Sequence, residues 1–201
     1  MMTALWLIPL CFLLGSLPFG AWIVRLQTGQ DVTKLGSGNI GATNVLRTTG
    51  KLAGVLTLLL DIGKGYLAVW LASKVSEGNE LLMSIAAIAV LLGHGFSPFM
   101  KFKGGKAVAS FAGAFACLTP LPFFTIALLF IAIVAYSRFI SLASICCAAL
   151  FPLAVWLILH PAWPVLLASL LAAVFVIWRH QGNIERLRAG TENVFSWRSK
   201  K

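Results

Sequence analysis

The fold is decided by a charge-free, mostly apolar run over residues 3–24, TALWLIPLCFLLGSLPFGAWIV. At about 1.5 Å per residue, a helix of this length crosses the roughly 30 Å of hydrocarbon in a bilayer. A secretory signal peptide would carry a basic start and a small-residue cleavage site, and this run shows neither. We therefore predict a first transmembrane helix, in which Gly15, Pro18 and Gly20 indicate a kink or close helix packing.

The composition of the whole chain requires lipid as its solvent. Of 201 residues, 59% are hydrophobic and 11% are charged, and the mean hydropathy is +0.91. One soluble core of this size cannot bury so much apolar side chain. The net charge of +10 favours contact with anionic lipid or with phosphate. Nucleic acid is a poor second choice as a partner, because the cations lie in short loops and not along one soluble face.

Six more apolar runs follow the first, and the fourth of the seven is short for a full crossing. Together they predict an all-α polytopic membrane protein, a single domain over residues 1–201, with seven transmembrane helices. These helices are predicted over residues 3–24, 52–71, 81–97, 107–119, 121–136, 142–159 and 165–178.

The distribution of cations predicts the orientation. With seven spans, fourteen of the sixteen cations fall on one side, while Lys74 falls on the other and Lys64 lies within a span. By the positive-inside rule that side is the cytoplasm, with the N-terminus outside and the C-terminus inside. The fourteen cations are Arg25, Lys34, Arg47, Lys51, Lys101, Lys103, Lys106, Arg138, Arg179, Arg186, Arg188, Arg198, Lys200 and Lys201.

A polar stretch between the first two runs, GSGNIGATNVLRTTGK over residues 36–51, is the candidate binding segment. Its glycines allow consecutive backbone N–H groups to turn toward one anion, and Arg47 and Lys51 supply countercharge. We predict a phosphate cradle. The alternative is a flexible loop rich in glycine, serine and asparagine between two helices.

The predicted topology brings three more polar motifs to the same membrane surface. Gly104-Gly105-Lys106 precedes a helix and is expected to offer free N–H groups and an ammonium to phosphate. Ser141 and Ser144 lie at the start of the helix predicted over residues 142–159, where a serine either caps the helix or donates to a ligand. The run RHQGN over residues 179–183 adds a histidine and an asparagine. Each motif has a plainer alternative, such as an interfacial lysine or a solvated histidine.

Two further patterns bear on chemistry. Asp61 and Lys64 lie three residues apart within a predicted span, where they can neutralise each other; a packing role is favoured over substrate contact. The chain has no GxSxG, HExxH or aspartate-rich Mg²⁺ motif. We expect the chemistry to need no metal and no cofactor.

Five motifs, GSGNIGATNVLRTTGK, LDIGKG, GHGFSPFMKFKGGKAVAS, SRFISLAS and RHQGNIERLRAGTEN, occur in this order along nearly the whole chain. Together they resemble the membrane-embedded glycerol-3-phosphate acyltransferases that use acyl-phosphate as donor, the PlsY family of bacteria. The resemblance implies seven spans in the inner membrane and an active site at the cytoplasmic face. It also implies fatty acyl transfer from acyl-phosphate to the sn-1 hydroxyl of glycerol 3-phosphate, which gives lysophosphatidic acid and phosphate.

The resemblance also implies roles for individual residues. His180, Ser37, Asn39 and Thr43 would be catalytic. For the mechanism, our own hypothesis is that the alcohol attacks directly, without an acyl-enzyme, and that His180 or a substrate phosphate takes the proton. The acyl-phosphate group and its oxyanion would be held by Ser37, Gly38, Asn39, Ile40, Gly41, Ala42 and Thr43. Glycerol 3-phosphate would be held by Asn44, Arg47, Lys106, Ser144, His180 and Asn183.

The expected partners are acyl-phosphate, glycerol 3-phosphate and membrane lipid, with a soluble enzyme as a possible source of the acyl-phosphate. The competing function is a membrane transporter of a phosphorylated metabolite, since a basic pocket near lipid suits that function too. The seven predicted spans do not divide into two similar halves, and the outer face lacks cations to receive an anion.

Overall fold

The structure is a computed structural model that describes residues 6–196, and every regular element in that part of the chain is helical. The all-α prediction is confirmed. Residues 3–5 of the first predicted span and the last three predicted cytoplasmic cations lie outside the described residues. The helices are α1 Leu7–Ser16, α2 Phe19–Thr28, α3 Ala42–Thr48, α4 Lys51–Val75, α5 Glu80–Gly95, α6 Val108–Leu118, α7 Pro120–Ser137, α8 Ile140–Leu159, α9 Trp163–Trp178 and α10 Gln181–Arg188.

Several of these helices are long and apolar enough to cross a bilayer. Helix α9 continues into α10 with a bend of 55°, and the two together would make a sixth span. Helix α6 has 11 residues and is shorter than a full crossing. The five segments of sufficient length are Leu7–Thr28, Lys51–Val75, Glu80–Met100, Pro120–Ser137 and Ile140–Leu159. The seven-span count and the orientation therefore stay predictions.

The first span is broken where the sequence predicts a kink. Helix α1 ends at Ser16, and Leu17 is extended because the residue before a proline is pushed out of the helical region. The break leaves two carbonyl groups in need of donors. Ser97 Oγ donates to Ser16 O at 2.6 Å, and Lys64 Nζ donates to Leu17 O at 2.8 Å. The break is therefore capped by Lys64 of α4 and by Ser97, which follows the end of α5.

Glycines bring α4 and α6 into backbone contact. A Cβ at Gly65 would lie 2.2 Å from Ser110 O, and one at Gly113 would lie 1.9 Å from Ile62 O. Small residues at such crossings let membrane helices pack closely without a side chain between them. Because α4 follows the glycine-rich stretch and α6 follows Lys106, this contact holds the two polar loops side by side.

Helix α7 is exposed along most of its length. Six per cent of the residues in α7 are buried within the protein, against 44% in the most apolar part of α4. Large side chains such as Phe124, Leu128 and Ile131 are more than half exposed, as expected for a helix that faces lipid. The side of α7 that does turn inward carries Phe123, Ile126 and Phe130 into the wall of a cavity.

Candidate active site

A cavity of about 470 Å³ joins the polar loops to the apolar interior between α4, α6, α7 and α8. Its polar end is formed by four segments distant in sequence: the loop before α3, Lys106, the first turn of α8, and the junction of α9 and α10. Its apolar wall is lined by Val55, Leu58, Phe111, Ala112, Phe123, Ile126, Ala127, Phe130, Ile131, Cys147 and Ala148. The cavity therefore suits a molecule with a charged head and an apolar tail.

Eleven of the thirteen predicted site residues line this cavity, namely Ser37, Asn39, Gly41, Ala42, Thr43, Asn44, Arg47, Lys106, Ser144, His180 and Asn183. The predicted convergence of four sequence segments is therefore observed. Gly38 and Ile40 do not line it. Gly38 has φ +70° in the turn where its N–H donates to Leu35 O, and Ile40 is 3% exposed in a small core with Val24 and Val45.

The glycine-rich loop is organised by the Asn44 side chain. Its Oδ1 accepts a hydrogen bond from Ser37 N at 2.9 Å, and its Nδ2 donates to Leu35 O at 3.0 Å and to Asn39 O at 2.8 Å. One buried amide thus fixes three backbone positions, so the loop is ordered and the flexible-loop alternative is wrong. These hydrogen bonds use both the oxygen and the NH₂ group of the Asn44 side chain. The predicted contact between Asn44 and glycerol 3-phosphate is therefore replaced by a role in holding the loop.

Part of the loop's hydrogen-bonding capacity remains for a ligand. Gly41 N donates to Asn39 Oδ1 at 2.8 Å, so the carbonyl end of that amide is used and its NH₂ end is left for a ligand. The first turn of α3 has no intrahelical acceptor for the N–H groups of Ala42 and Thr43, and both residues line the cavity. Lys51, expected as a countercharge here, begins α4 and is not among the residues that line the cavity.

The Gly104-Gly105 backbone is engaged by the protein itself, so the expectation of free N–H groups there is wrong. Gly104 N donates to Gly95 O, and Gly105 N donates to His94 O. Arg179 donates from Nε to Gly105 O at 3.0 Å and from a terminal nitrogen to Gly104 O at 2.7 Å. Both glycines are needed for close approach, since a Cβ at Gly104 would lie 2.0 Å from His94 O. The loop is therefore a rigid support for Lys106.

Lys106 reaches across the cavity to α10, where its Nζ donates a hydrogen bond to Asn183 Oδ1. Asn183 Nδ2 in turn donates to Glu192 Oε1 at 2.9 Å, and Arg186 Nε donates to Glu192 Oε2 at 2.9 Å. Glu192, which lines the cavity, was not predicted as a site residue. The sequence offered little indication of this role, because a single acidic residue nine positions after Asn183 matches no known motif.

The ammonium of Lys106 is held in a partly desolvated, cationic environment. Burial lowers the pKa of Lys106 to about 8, and the positive charges of Arg186, Arg179 and Arg47 act in the same direction. Glu192 acts in the opposite direction, since its negative charge favours the ammonium. Lys106, Arg47 and Arg186 line one end of the cavity, and this excess of positive charge favours an anionic ligand.

His180 is 3% exposed, so its interpretation as a solvated interfacial residue is wrong. Its Nδ1 lies 2.7 Å from Val176 O, and because a carbonyl can only accept, Nδ1 carries the proton. Nε2 is then the acceptor. Burial and the nearby charge of Lys106 together lower the pKa of His180 to about 4, against the opposing effect of the Val176 hydrogen bond. The side chain is neutral at about pH 7.

The two serines at the start of α8 do not cap it. The residue before the helix is Phe139, with no side-chain cap, and Ser144 Oγ donates back to Ile140 O at 2.9 Å. Ser141 Oγ is buried and has no hydrogen-bond partner within residues 6–196. Both serines line the cavity. A buried hydroxyl without a protein partner is a candidate contact for a polar ligand.

A buried polar cluster forms part of the cavity wall, to which it contributes Asp61 and His94, and the His94 ring lies against Gly105. Lys64 Nζ is 2.7 Å from Asp61 Oδ1, as the sequence spacing predicts, and the pair is nearly inaccessible. His94 Nδ1 is 3.2 Å from Ser110 Oγ and 3.7 Å from Asp61 Oδ1. Within residues 6–196, no group of three or more His, Cys, Asp or Glu side chains is arranged to hold a metal ion.

A helical bundle with several segments of membrane length defines the class of integral membrane proteins, and the cavity in it joins a cationic mouth to an apolar channel. The model of the glycerol-3-phosphate acyltransferase family matches residues 5–190. The chain belongs to the glycerol-3-phosphate acyltransferase family, and it is of the PlsY type.

Relatives and solved structures agree with this assignment. A glycerol-3-phosphate acyltransferase of Syntrophomonas wolfei subsp. wolfei is 44% identical over 186 residues, which are 92% of this chain and 94% of the relative. The crystal structure of PlsY (YgiH), an integral membrane glycerol 3-phosphate acyltransferase, in its glycerol 3-phosphate form is 37% identical, with a TM-score of 0.91 over 96% of each chain. Its lysophosphatidic acid form is 36% identical, with a TM-score of 0.88 over 97% of this chain and 96% of that one.

Proposed function

We propose that this protein transfers a fatty acyl group from acyl-phosphate to the sn-1 hydroxyl of glycerol 3-phosphate. The products are lysophosphatidic acid and phosphate, in the first step of membrane phospholipid biosynthesis. The observation that carries the proposal is the single cavity in which Arg47, Lys106 and Arg186 meet an apolar channel. It is supported by the relatives named glycerol-3-phosphate acyltransferases and by the two ligand forms of the similar crystal structure.

Glycerol 3-phosphate is held at the junction of the loops and α10. Arg47 and Lys106 bind its phosphate, since a guanidinium can make two parallel hydrogen bonds to phosphate and an ammonium adds a point charge. Asn183, Ser144 and His180 contact the glycerol hydroxyls. Asn44 supports this subsite indirectly, because its amide holds the loop that leads into α3.

Acyl-phosphate lies with its phosphate on the glycine-rich loop and its chain in the apolar channel. Ser37, Thr43 and the NH₂ group of Asn39 donate to the phosphate and to the oxyanion that develops on the attacked carbonyl. The N–H groups of Ala42 and Thr43 add backbone donors. Gly38 and Ile40 shape the loop without contacting the ligand.

The reaction is a direct acyl transfer. The sn-1 oxygen forms a bond to the acyl carbon, the bond from that carbon to the bridging phosphate oxygen breaks, and inorganic phosphate leaves. His180 Nε2 accepts the hydrogen bond of the attacking hydroxyl. With a pKa of about 4 for His180, the departing phosphate is the stronger base and takes the proton. Orientation of the two substrates supplies several kcal/mol of the catalysis.

The protein is a single membrane domain with seven spans: the α1–α2 unit, α4, α5, α6, α7, α8 and α9. The positive-inside rule supports a cytoplasmic active site, because the cavity mouth lies among the cationic loops. Acyl-phosphate would come from a soluble enzyme, and glycerol 3-phosphate from the cytoplasm. In a bacterium this arrangement puts the protein in the inner membrane.

The test is an assay of purified protein in detergent, with a metal chelator, acyl-phosphate and glycerol 3-phosphate. Lysophosphatidic acid is measured by mass spectrometry and phosphate by its release. We expect both products in equal amounts, and none when either substrate is omitted. A transporter would make neither product in detergent, where no compartments exist. A reaction that proceeds with an acyl thioester and not with acyl-phosphate would overturn the donor assignment.

A further inference from the structure

The buried ion pair of Asp61 and Lys64 has no part in the proposed chemistry. The two charges lie 2.7 Å apart in the middle of α4, and the side chains are 2% and 3% exposed. Charged groups inside a membrane span are strongly unfavourable unless they are paired. A pair of leucines would satisfy packing at these positions without that cost, so the pair calls for another role.

Lys64 does more than neutralise Asp61. Its Nζ also donates to Leu17 O at 2.8 Å, and it lies 5.6 Å from the centre of the Phe19 ring. Leu17 lies in the break between α1 and α2, where the carbonyl has no helical donor and a cation is favourable at the end of α1. Ser97 Oγ caps the neighbouring Ser16 O. The direction in which α2 leaves the break is therefore fixed by Lys64 and Ser97.

The first turn of α2 contacts the glycine-rich loop directly. A Cβ at Gly20 would lie 2.0 Å from Ile40 O, so the helix and the loop backbone touch at this glycine. Ile40 is flanked by Asn39 and Gly41, which line the cavity. A displacement of α2 is therefore passed to the loop, since no side chain between them can adjust.

We infer that the Asp61–Lys64 pair is a positioning device for the acyl-phosphate subsite: Lys64 holds the α1–α2 break and thereby sets the position of the loop over residues 37–43. This rests on the proposed function, which gives that loop to acyl-phosphate. Of the residues proposed to hold glycerol 3-phosphate, Arg47 on α3 adjoins this loop, whereas Lys106, Ser144, His180 and Asn183 belong to other segments of the chain. Loss of the pair therefore affects the donor substrate more than glycerol 3-phosphate.

The test uses the double variant Asp61→Asn, Lys64→Met, which removes the donor to Leu17 O and leaves no uncompensated buried charge. The first of these substitutions keeps the size of the Asp61 side chain beside His94. We expect the KM for acyl-phosphate to rise by about tenfold or more, with less than about a twofold change in the KM for glycerol 3-phosphate. Lys74→Met is the matched control, because Lys74 lies on the same helix away from the break, and it leaves both constants unchanged.

A second variant, Ser97→Ala, removes the cap on Ser16 O without touching a charge. The expected result is the same selective rise in the KM for acyl-phosphate, by about threefold. If the Asp61–Lys64 pair only stabilises the fold, the substitutions will lower the folded, active fraction and leave both KM values unchanged. That outcome would overturn the inference. If the double variant does not fold, the Ser97→Ala result decides. Failure of the wild-type protein to use acyl-phosphate would instead contradict the proposed function.

Discussion

Lys106 and Asn183 are 77 positions apart in sequence and are joined by a hydrogen bond from Lys106 Nζ to Asn183 Oδ1 across the mouth of the cavity. The other end of the Asn183 amide donates to Glu192. The amide therefore has one orientation, with its oxygen toward the lysine and its NH₂ toward the acid. Because Glu192 also holds Arg186, one carboxylate orders two polar side chains that line the cavity.

Replacement of Glu192 is expected to weaken glycerol 3-phosphate binding. In Glu192→Gln the charge that holds Asn183 and Arg186 is lost, and the KM for glycerol 3-phosphate should rise about tenfold, as expected for loss of a hydrogen bond to a charged group. Glu185→Gln is the matched control, since Glu185 lies on α10 outside the residues that line the cavity. Equal effects of the two substitutions in a steady-state assay would contradict this role for Glu192.

The pH dependence is expected to report Lys106. Its ammonium form binds phosphate and predominates below its pKa of about 8. The ratio kcat/KM for glycerol 3-phosphate, which reflects the free enzyme, should therefore fall as the pH rises through about 8. Glu192→Gln should move this alkaline limb to lower pH, because Glu192 raises the pKa of Lys106. In Lys106→Arg the limb should disappear from this range, and a limb that persists there would assign the titration to another group.

His180 is expected to act as a hydrogen-bond acceptor and not as the group that takes the proton. His180→Ala should raise the KM for glycerol 3-phosphate about tenfold and lower the turnover rate by less than about tenfold, whereas loss of a general base costs roughly 100-fold to 10,000-fold. His160→Ala, at the exposed end of α8, should change neither. A turnover rate reduced by roughly three orders of magnitude, with an unchanged KM, would show that His180 is the base.

Gly104 is expected to tolerate no side chain. In Gly104→Ala the new Cβ would lie 2.0 Å from His94 O, a backbone atom that cannot move aside. We expect a loss of about 1–3 kcal/mol in the free energy of unfolding and a higher KM for glycerol 3-phosphate, because the loop carries Lys106. Gly63→Ala is the control, since a Cβ at Gly63 meets nothing within 4 Å. A thermal unfolding curve for Gly104→Ala that matches the control would contradict the close contact.

The membrane character, the helical fold and most of the polar residues that line the cavity could be predicted from the sequence. Apolar runs of about twenty residues admit few interpretations, because lipid requires every backbone group to be paired within its own segment. The cation distribution then gathers the polar loops on one side, which is why Arg47, Lys106 and His180 were predicted together and line one cavity.

The direction of individual hydrogen bonds could not be predicted. Asn44 and the Gly104-Gly105 backbone have the right chemistry for a ligand, yet their donors and acceptors are used within the protein. Glu192 was not predicted, because only the folded structure brings it to Asn183 and Arg186, and no sequence motif relates the three residues. Which polar groups remain for a ligand depends on tertiary contacts that local sequence does not specify.

Initial velocities measured over a grid of acyl-phosphate and glycerol 3-phosphate concentrations test most directly whether one cavity holds both substrates at once. Direct transfer in a ternary complex predicts double-reciprocal lines that intersect, with no phosphate released from acyl-phosphate until glycerol 3-phosphate is added. Parallel lines, together with a burst of phosphate release in the absence of glycerol 3-phosphate, would reveal an acyl-enzyme and contradict direct attack.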